Sequence, residues 1–241
     1  MIATCGGLDN DAKFFSSCLV WDTSTGQWEE NIIGPMLQER HWHAAVTLKD
    51  RAVYLLGGFP SSSIELLRAD STTWQQGPPL PVQMVEGPCA VVISATSFLV
   101  FFDKEIREFD TSWAKESKWP KMKTSRRWGP GCAKVGDDKV IIAGGRDGGT
   151  TDILDLSSRT LSEGGKMATP REFFHMITFN NNGDFTTLAL GGSDDDGNEL
   201  NTVEEWNPET ESWSTVETRL KEKRENFGLV AAPKNLLCPS Q

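Results

Sequence analysis

Two stretches of the sequence share one pattern: Val20-Trp21-Asp22-Thr23-Ser24-Thr25-Gly26-Gln27-Trp28 and Glu205-Trp206-Asn207-Pro208-Glu209-Thr210-Glu211-Ser212-Trp213. In both, a tryptophan is followed by a polar run and by a second tryptophan seven positions later. A run of this composition between apolar positions indicates a turn that joins two short strands. Because the pattern stands near both ends of the chain, an internal repeat is expected between them.

Tryptophans and glycine pairs mark this repeat independently of each other. One series of tryptophans is spaced by 46, 45 and 94 residues, and Gly-Gly pairs that follow an apolar run are spaced by 51, 87 and 47. The long interval in each series is close to two periods, so both markers predict five units of about 48 residues. The two series are Trp28, Trp74, Trp119 and Trp213, and Gly6-Gly7, Gly57-Gly58, Gly144-Gly145 and Gly191-Gly192.

Apolar residues alternate with a period of two inside each unit, as they do in strands. The second unit predicts strands over residues 44–48, 52–56, 64–68 and 72–75, with turns between them. Four short strands in a unit of this length, with no helical period, are typical of one blade of a β-propeller. The third unit has lost its glycine pair but keeps an apolar strand over residues 98–102. We therefore expect an all-β fold of five four-stranded blades.

The unit resembles the kelch repeat, which has a Gly-Gly pair after its second strand, an aromatic residue on the third and a tryptophan shortly afterwards. The resemblance covers essentially the whole chain and implies a single kelch-type β-propeller domain over residues 1–241. The first unit lacks an inner strand, and residues 224–232 align with residues 40–48, where the second unit has one. The C-terminal strand is therefore expected to join the N-terminal blade and close the ring. Kelch propellers usually serve as binding or scaffold modules, and the resemblance implies that function here.

Charge and hydropathy exclude several classes of partner. The chain has 24 basic and 34 acidic residues, for a net charge of −10. Such a field repels a phosphate backbone, so nucleic-acid binding is not expected. The longest apolar run has about five residues, far fewer than the roughly 18 that a membrane-spanning helix needs. We expect a monomeric globular domain that does not contact a membrane.

The five cysteines contain no C-x-x-C motif, so neither structural zinc nor dithiol chemistry is expected. Cys89 and Cys132 occupy equivalent places in two inner strands and are predicted to be buried free thiols. Cys5 and Cys18 flank one predicted hairpin, and a disulfide between them is the less favoured alternative. The odd number of cysteines and the lack of an N-x-S/T acceptor favour a cytoplasmic compartment, with secretion left open.

The candidates for catalysis and metal binding are few. His41 and His43 alternate on a strand and so point to opposite faces. A copper oxidase of the galactose-oxidase kind needs two tyrosine ligands, and this chain has one tyrosine. The acidic loop over residues 193–199 lacks the spacing of a calcium loop and is expected to be a solvated turn. Glu86 and Glu172 are the carboxylates considered for sugar hydrolysis, but they are not favoured. No catalytic residue, metal or cofactor is predicted.

Arginines precede the inner strand in four units, and an aromatic residue accompanies each of them, the one beside Arg224 being Phe227. In a propeller, these connections line one mouth of the central channel, where four guanidiniums would form a positive focus. We therefore predict that seven residues bind the ligand, a protein or an acidic peptide. Two alternatives stay open, namely that the arginines tie neighbouring blades and that the propeller is carbohydrate-binding or carbohydrate-active. The predicted residues are Arg40, Trp42, Arg127, Trp128, Arg171, Phe173 and Arg224.

Overall fold

The computed structural model describes residues 2–9, 11–22, 24–50, 52–80, 87–113, 118–146, 148–181 and 184–227. Within these ranges the chain forms β-strands and no helix, so the predicted all-β fold is confirmed. The strands are β1 (Ile2–Cys5), β2 (Cys18–Asp22), β3 (Gln27–Glu30), β4 (Ala44–Thr47), β5 (Val53–Leu56), β6 (Ser63–Leu67), β7 (Gln75–Pro79), β8 (Cys89–Val92), β9 (Ser97–Phe102), β10 (Glu105–Asp110), β11 (Gly131–Val135), β12 (Lys139–Ala143), β13 (Thr151–Asp155), β14 (Thr160–Gly164), β15 (His175–Asn181), β16 (Asp184–Leu190), β17 (Val203–Asn207) and β18 (Ser212–Val216).

The described strands form five antiparallel sheets that follow one another along the chain. The second sheet (β4–β7), the fourth (β11–β14) and the fifth (β15–β18) have four strands each, in chain order. The first sheet (β1–β3) and the third (β8–β10) have three strands each, where four were predicted. Repeated antiparallel sheets in which sequential strands pair are the arrangement expected of propeller blades.

The chain divides into two compact units, each with its own core. Unit 1 comprises Met1–Lys123 and Arg127–Gly129, and unit 2 comprises Thr124–Arg126 and Pro130–Gln241. In unit 1, buried side chains of the second and third sheets pack together, and every side chain of β9 is buried. In unit 2, the fourth and fifth sheets share a second core. Burial of these apolar surfaces is the main force that holds neighbouring sheets together within each unit.

The outer strand of the second sheet lies three residues later than the sequence pattern predicts. The predicted strand covered residues 72–75 with the following Gly-Pro-Pro as a turn, but β7 runs from Gln75 to Pro79 and includes those residues. The register shifts opposite Ser63 and Glu65, which accommodates the difference. Proline lacks an N–H donor and is tolerated in an outer strand, whose outward edge forms no ladder.

The third sheet shows how a blade is built without its glycine pair. Its strands β9 and β10 join through a tight hairpin in which Phe102 faces Glu105. Asp103 in this hairpin has a φ of 47°, a left-handed conformation that aspartate tolerates better than most residues. The aspartate thus provides the turn conformation that glycine provides elsewhere.

The predicted closing strand falls partly within the described chain. Residues 224–227 are not in a strand, and the remainder of the predicted strand, residues 228–232, lies outside the described residues. Closure of the ring therefore stays a prediction.

Two of the tryptophans that mark the repeat fill spaces between neighbouring sheets. Trp74 is buried and donates from Nε1 to the carbonyl of Gly34 (3.1 Å). Trp213 is buried and donates to Oγ1 of Thr151 in the neighbouring fourth sheet (2.9 Å). Trp28 packs edge-on against Trp21 but is 51% exposed, so it does not share this packing role.

The glycine pairs allow neighbouring sheets to approach closely. Gly144 has a φ of +65°, and a Cβ placed there would lie 2.4 Å from the carbonyl oxygen of Arg171. The adjacent Gly145 donates its N–H to the same oxygen at 3.0 Å. The glycine pair is therefore required for the close approach of the backbone at this position.

We expect Gly144→Ala to lower the free energy of unfolding by about 2–3 kcal/mol, because the new Cβ meets backbone in a left-handed conformation. Gly136→Ala is the matched control: Gly136 has a φ of +62°, and a Cβ added to it would meet no described atom within 4 Å. Gly136→Ala should lower the free energy of unfolding by only about 1 kcal/mol, because it introduces the left-handed strain without a steric clash. Urea denaturation of both variants measures the difference, and equal losses would contradict the close approach.

The less favoured alternative holds for Cys5 and Cys18, and the prediction of free thiols is wrong for Cys89 and for Cys132. Cys5 and Cys18 face each other on β1 and β2 and form a disulfide. Cys89 and Cys132, predicted to be free thiols, are disulfide-bonded as well. Composition pointed to small buried residues at these positions, but spacing in the sequence gave no measure of the distance between sulfur atoms in the fold.

Across the described ranges, no helix has the length and apolar character needed to cross a membrane.

Candidate functional site

The guanidinium of Arg40 is enclosed by the second sheet rather than presented to a ligand. Its Nη1 donates to the carbonyls of Gly57 (2.8 Å) and Ser63 (3.1 Å), and its Nη2 donates to Ser63 Oγ and to Glu65 Oε1. Arg40 and Glu65 are both 0% exposed. Its main-chain carbonyl accepts the N–H of Gly7 from the first sheet at 2.9 Å. Arg40 therefore links the first and second sheets.

Arg171 repeats this arrangement in unit 2. Its Nη1 donates to the carbonyls of Gly191 (2.9 Å) and Thr202 (3.2 Å), and its Nη2 donates to Glu204 Oε1 at 2.6 Å. The residue is 1% exposed, and its carbonyl accepts the N–H of Gly145 from the fourth sheet. The prediction that Arg40 and Arg171 contact the ligand is therefore wrong, because a partner cannot reach either guanidinium. The structure gives both residues the alternative role of ties between sheets.

The third buried arginine is Arg126 and not Arg127. Arg126 donates to the carbonyls of Gly144 and Thr150 and pairs with Asp152, its Nη2 lying 2.9 Å from Oδ2. Arg127 instead points outward, about half exposed, with its Nε 3.5 Å from Oδ1 of Asp103. Counting from the glycine pairs misplaced the equivalent position by one residue.

Arg224 stands at the position equivalent to Arg40, Arg126 and Arg171. Unlike theirs, its side chain is exposed in the described part of the chain. Its carbonyl accepts the N–H of Gly192 at 2.9 Å, as the other arginines accept from their glycine pairs. Its guanidinium lies 6.0 Å from the ring of Phe227, and its Nε lies 3.5 Å from the carbonyl of Glu222. Three of the four equivalent guanidiniums are neutralised inside the protein, so the predicted positive focus of four arginines does not form.

The four arginines at the equivalent position are each followed, two residues later, by a residue with a left-handed backbone conformation. Trp42 has a φ of 56°, Trp128 of 60°, Phe173 of 53° and Asn226 of 52°. Bulky aromatic residues rarely adopt this conformation, which costs on the order of 1–3 kcal/mol and concentrates at functional positions. Each of the three aromatic residues is half-buried, so part of each ring faces solvent. No sequence signal short of the structure indicated this backbone conformation.

Trp42 belongs to an aromatic cluster in unit 1, which we define as Phe14, His41, Trp42 and Phe59. The ring of His41 stacks on Phe14 at 5.0 Å, lies 4.2 Å from Trp42, and meets Phe59 edge-on at 5.7 Å. Phe14 also meets Phe59 edge-on at 5.5 Å. Leu8, which pairs with Phe14 through its backbone, adds a side chain that is 46% exposed.

Backbone hydrogen bonds hold the aromatic cluster in place. His41 and Phe59 exchange two of them, with N-to-O distances of 3.0 and 2.9 Å. Phe15 donates to the carbonyl of Gly7 at 3.1 Å, which fixes the hairpin that carries Phe14. One rigid, half-exposed aromatic surface therefore forms from three segments. Two of them follow the Gly6-Gly7 and Gly57-Gly58 pairs, and the third is the connection before β4.

The aromatic cluster is uncharged at neutral pH. His41 is 7% exposed, and burial lowers its pKa below the ordinary value of 6.5. The imidazole is therefore neutral and contributes an apolar face to the stack. Such a surface suits apolar or aromatic groups of a partner and offers an anion no attraction.

The corresponding segments of unit 2 are acidic. Glu172 takes the place of His41, and its pKa is raised by burial and by the nearby charges of Asp195 and Glu225, against an opposing effect of Arg146. Asp194 accepts backbone hydrogen bonds from Asp196 and Asn198, which lower its own pKa. The acidic loop over residues 193–199 is thus a turn closed by its own side chain.

Metal chemistry finds no geometric support in the part of the chain that the structure describes, which brings no three potential metal ligands together. His41 and His43 both lie in unit 1, and burial lowers the pKa of each of them. Glu86, one of the two carboxylates considered for sugar hydrolysis, lies outside the described residues.

Comparison with protein families gives one match. Residues 186–218 match the family model described as the Kelch motif. The matched range covers most of β16, the Gly191-Gly192 pair, β17 with Trp206 and β18 with Trp213. The resemblance predicted from the sequence is confirmed there, and the repeated antiparallel sheets agree with a β-propeller built of such motifs. No curated protein matches the chain.

Proposed function

We propose, from the kelch repeat that this chain carries over residues 186–218, that the protein is a non-enzymatic protein-binding or scaffold module. Kelch repeats generally mediate contacts between proteins, but a fold hosts many functions, so the binding surface must be argued separately. The observation that carries the proposal is the aromatic cluster of unit 1. Rigid, half-exposed aromatic side chains are enriched at the centres of protein interfaces.

Within the cluster, Trp42 is the residue on which we expect binding to depend most. The ring of His41 packs 4.2 Å from its indole, so less conformational entropy is lost when a partner packs against Trp42. Leu8, with its exposed side chain beside Phe14, extends the apolar area. Truncation of such an anchor typically costs about 2 kcal/mol or more of binding free energy, or about thirtyfold in affinity.

Site-specific photo-cross-linking tests the proposal and identifies the partner in the same experiment. p-Benzoylphenylalanine in place of Trp42 should form a covalent adduct with a specific protein, which mass spectrometry identifies and purification confirms. The control is the same residue in place of Phe185, which is 45% exposed on β16 at the end of that strand away from Gly191. Equal adducts from both positions, or none from position 42, would contradict the proposal.

A preference for acidic ligands loses the basis on which it was predicted. It depended on four guanidiniums around one opening, and the guanidiniums of Arg40, Arg126 and Arg171 are enclosed and paired with carboxylates. Any such preference must come from Arg127 or Arg224, which are exposed. Sugar binding shares the aromatic surface, and a glycan panel read by tryptophan fluorescence distinguishes it from protein binding.

Five blades and ring closure are proposed together with this function. Removal of residues 224–241 is expected to be severely destabilising, because the deleted stretch would contain an inner strand of the first sheet. Thermal melting of the truncated chain measures the effect. If the truncated chain melts at the temperature of the full chain, closure by this segment is wrong.

The cytoplasmic location becomes a weaker proposal in the light of the cysteines. Disulfides such as Cys5–Cys18 persist in oxidising compartments and are rare in the cytosol. Counting free thiols in protein purified from its native compartment decides the matter. A count of one, from Cys238 alone, would indicate an oxidising compartment, whereas a count of five would support the cytoplasm.

A further inference from the structure

Two connections between sheets bind a carboxylate in the same way. Before the second sheet, Leu37 N–H donates to Glu65 Oε2 (2.7 Å), Gln38 N–H donates to Glu65 Oε1 (3.1 Å), and the guanidinium of Arg40 donates to the same Oε1. Two consecutive backbone N–H groups and an arginine two residues further on thus converge on one carboxylate. We call this arrangement the carboxylate clamp.

The connection before the fifth sheet's inner strand repeats the clamp in detail. Ala168 N–H donates to Glu204 Oε2 (2.7 Å), Thr169 N–H donates to Oε1 (3.1 Å), and Arg171 Nη2 donates to Oε1 (2.6 Å). The distances to the backbone donors are the same in both clamps. A charged acceptor shared by three donors is bound more strongly than a neutral one.

The connection after the fifth sheet has two consecutive backbone N–H groups and an arginine at the same spacing. Counting back from Arg224, Lys221 and Glu222 stand where Ala168 and Thr169 stand before Arg171. The segment is anchored as Arg40 is, because Arg224 N–H donates to the carbonyl of Leu200 (3.1 Å), as Arg40 N–H donates to that of Phe15 (3.1 Å), and its carbonyl accepts from Gly192. The chain bends at residues 221–222 as it does at residues 168–169.

This third clamp holds no carboxylate in the described part of the chain. Arg224 is exposed, and the contacts of its guanidinium there are with the Glu222 carbonyl and the ring of Phe227. In the first sheet, the position that corresponds to Glu65 is Leu19, two residues after Ser17, whose carbonyl accepts from Gly6 as that of Ser63 accepts from Gly57. Leu19 has no carboxylate, so it cannot occupy the clamp.

We propose that the clamp of Lys221, Glu222 and Arg224 binds the carboxylate of a glutamate or aspartate side chain on a partner protein. The inference rests on the proposed binding function for the source of that carboxylate. A planar carboxylate fits because both filled clamps direct one backbone donor to each oxygen and the guanidinium to one of them. Beside the clamp, the positive charges of Lys221 and Lys223 stand against the negative charges of Glu222 and Glu225, and Lys223 also interacts with Asp194.

The test is an NMR titration of the full chain with acetyl-Gly-Glu-Gly-amide, whose one charge is the side-chain carboxylate. The amide signals of Lys221 and Glu222 and the Nε–H signal of Arg224 should shift together and saturate with a dissociation constant on the order of millimolar. Acetyl-Gly-Gln-Gly-amide should produce no such shifts. Arg224→Gln should weaken binding at least tenfold without changing the melting temperature.

Lys223→Gln is the matched control, because it removes one exposed positive charge next to the clamp and leaves all three donors in place. It should weaken binding less than threefold. Equal losses in Lys223→Gln and Arg224→Gln, or equal binding of inorganic phosphate, would show general anion attraction and overturn the inference. Shifts located elsewhere on the chain would overturn it too. These outcomes leave the cross-linking result at Trp42 unaffected, so failure of the clamp and failure of the proposed function are distinguishable.

Discussion

Arg171→Met is expected to lower the free energy of unfolding by about 3–5 kcal/mol, because it leaves the carboxylate of Glu204 buried without its counter-ion. Glu204 is 0% exposed and its Oε1 lies 2.6 Å from Arg171 Nη2. Methionine keeps most of the apolar stem of the side chain, so the loss reports on the guanidinium. Urea denaturation measures it.

Arg224→Met is the control for this variant. The two arginines stand at equivalent positions, but Arg224 is exposed and has no carboxylate partner among the described residues. The free energy of unfolding should therefore change by less than about 0.5 kcal/mol. If Arg171→Met and Arg224→Met were equally stable, the assignment of Arg171 as a tie between sheets would be wrong.

Acidification from pH 7 to pH 4 is expected to remove about 3 kcal/mol of stability for each of His43 and His175. Burial lowers the pKa of both side chains to about 4, and the charges of Arg40 and His41 add to the effect on His43. Below pH 6.5 the unfolded chain binds protons at these residues and the folded chain does not. Stability is therefore complete above pH 6.5 and falls as the pH drops towards 4.

The free energy of unfolding of His175→Gln, compared with that of the parent at pH 7 and pH 4.5, isolates one of these contributions. Glutamine cannot gain a proton, so the decrease on acidification should be smaller by about 2–3 kcal/mol in the variant. His175 lies against the ring of Phe227, and the variant can be less stable at every pH. The comparison therefore uses the change in the free energy of unfolding with pH. If that change were the same in the parent and in His175→Gln, His175 would be accessible to protons in the folded state.

The fold was predictable because its signals are local or periodic. The spacing of glycine pairs and tryptophans located the units, and apolar alternation located the strands of the second sheet to within one or two residues except for β7. Asp103 shows the limit of reading repeated motifs. It forms the turn at the place where the third unit lacks the Gly-Gly pair, and the repeat pattern does not predict it.

The site was less predictable because the role of each arginine depends on a residue in another strand. Glu65, Asp152 and Glu204 all stand at one place in the third strand of their sheets, and Leu19 stands there in the first sheet. Alignment of these acidic positions would have indicated which arginines have a buried carboxylate partner. The left-handed conformation of Trp42 has no such signal, because tryptophan rarely adopts it.

The most direct test of the central claim is a calorimetric measurement. It gives the dissociation constant between the Trp42→Asn variant and the partner identified by cross-linking through position 42. Asparagine is the replacement because Asn226 adopts the same left-handed conformation at the equivalent position, so the backbone is retained. The account predicts binding at least tenfold weaker than that of the parent, an unchanged melting temperature, and parental affinity for Phe185→Ala. Parental affinity of Trp42→Asn would contradict the claim that the aromatic cluster is the binding surface.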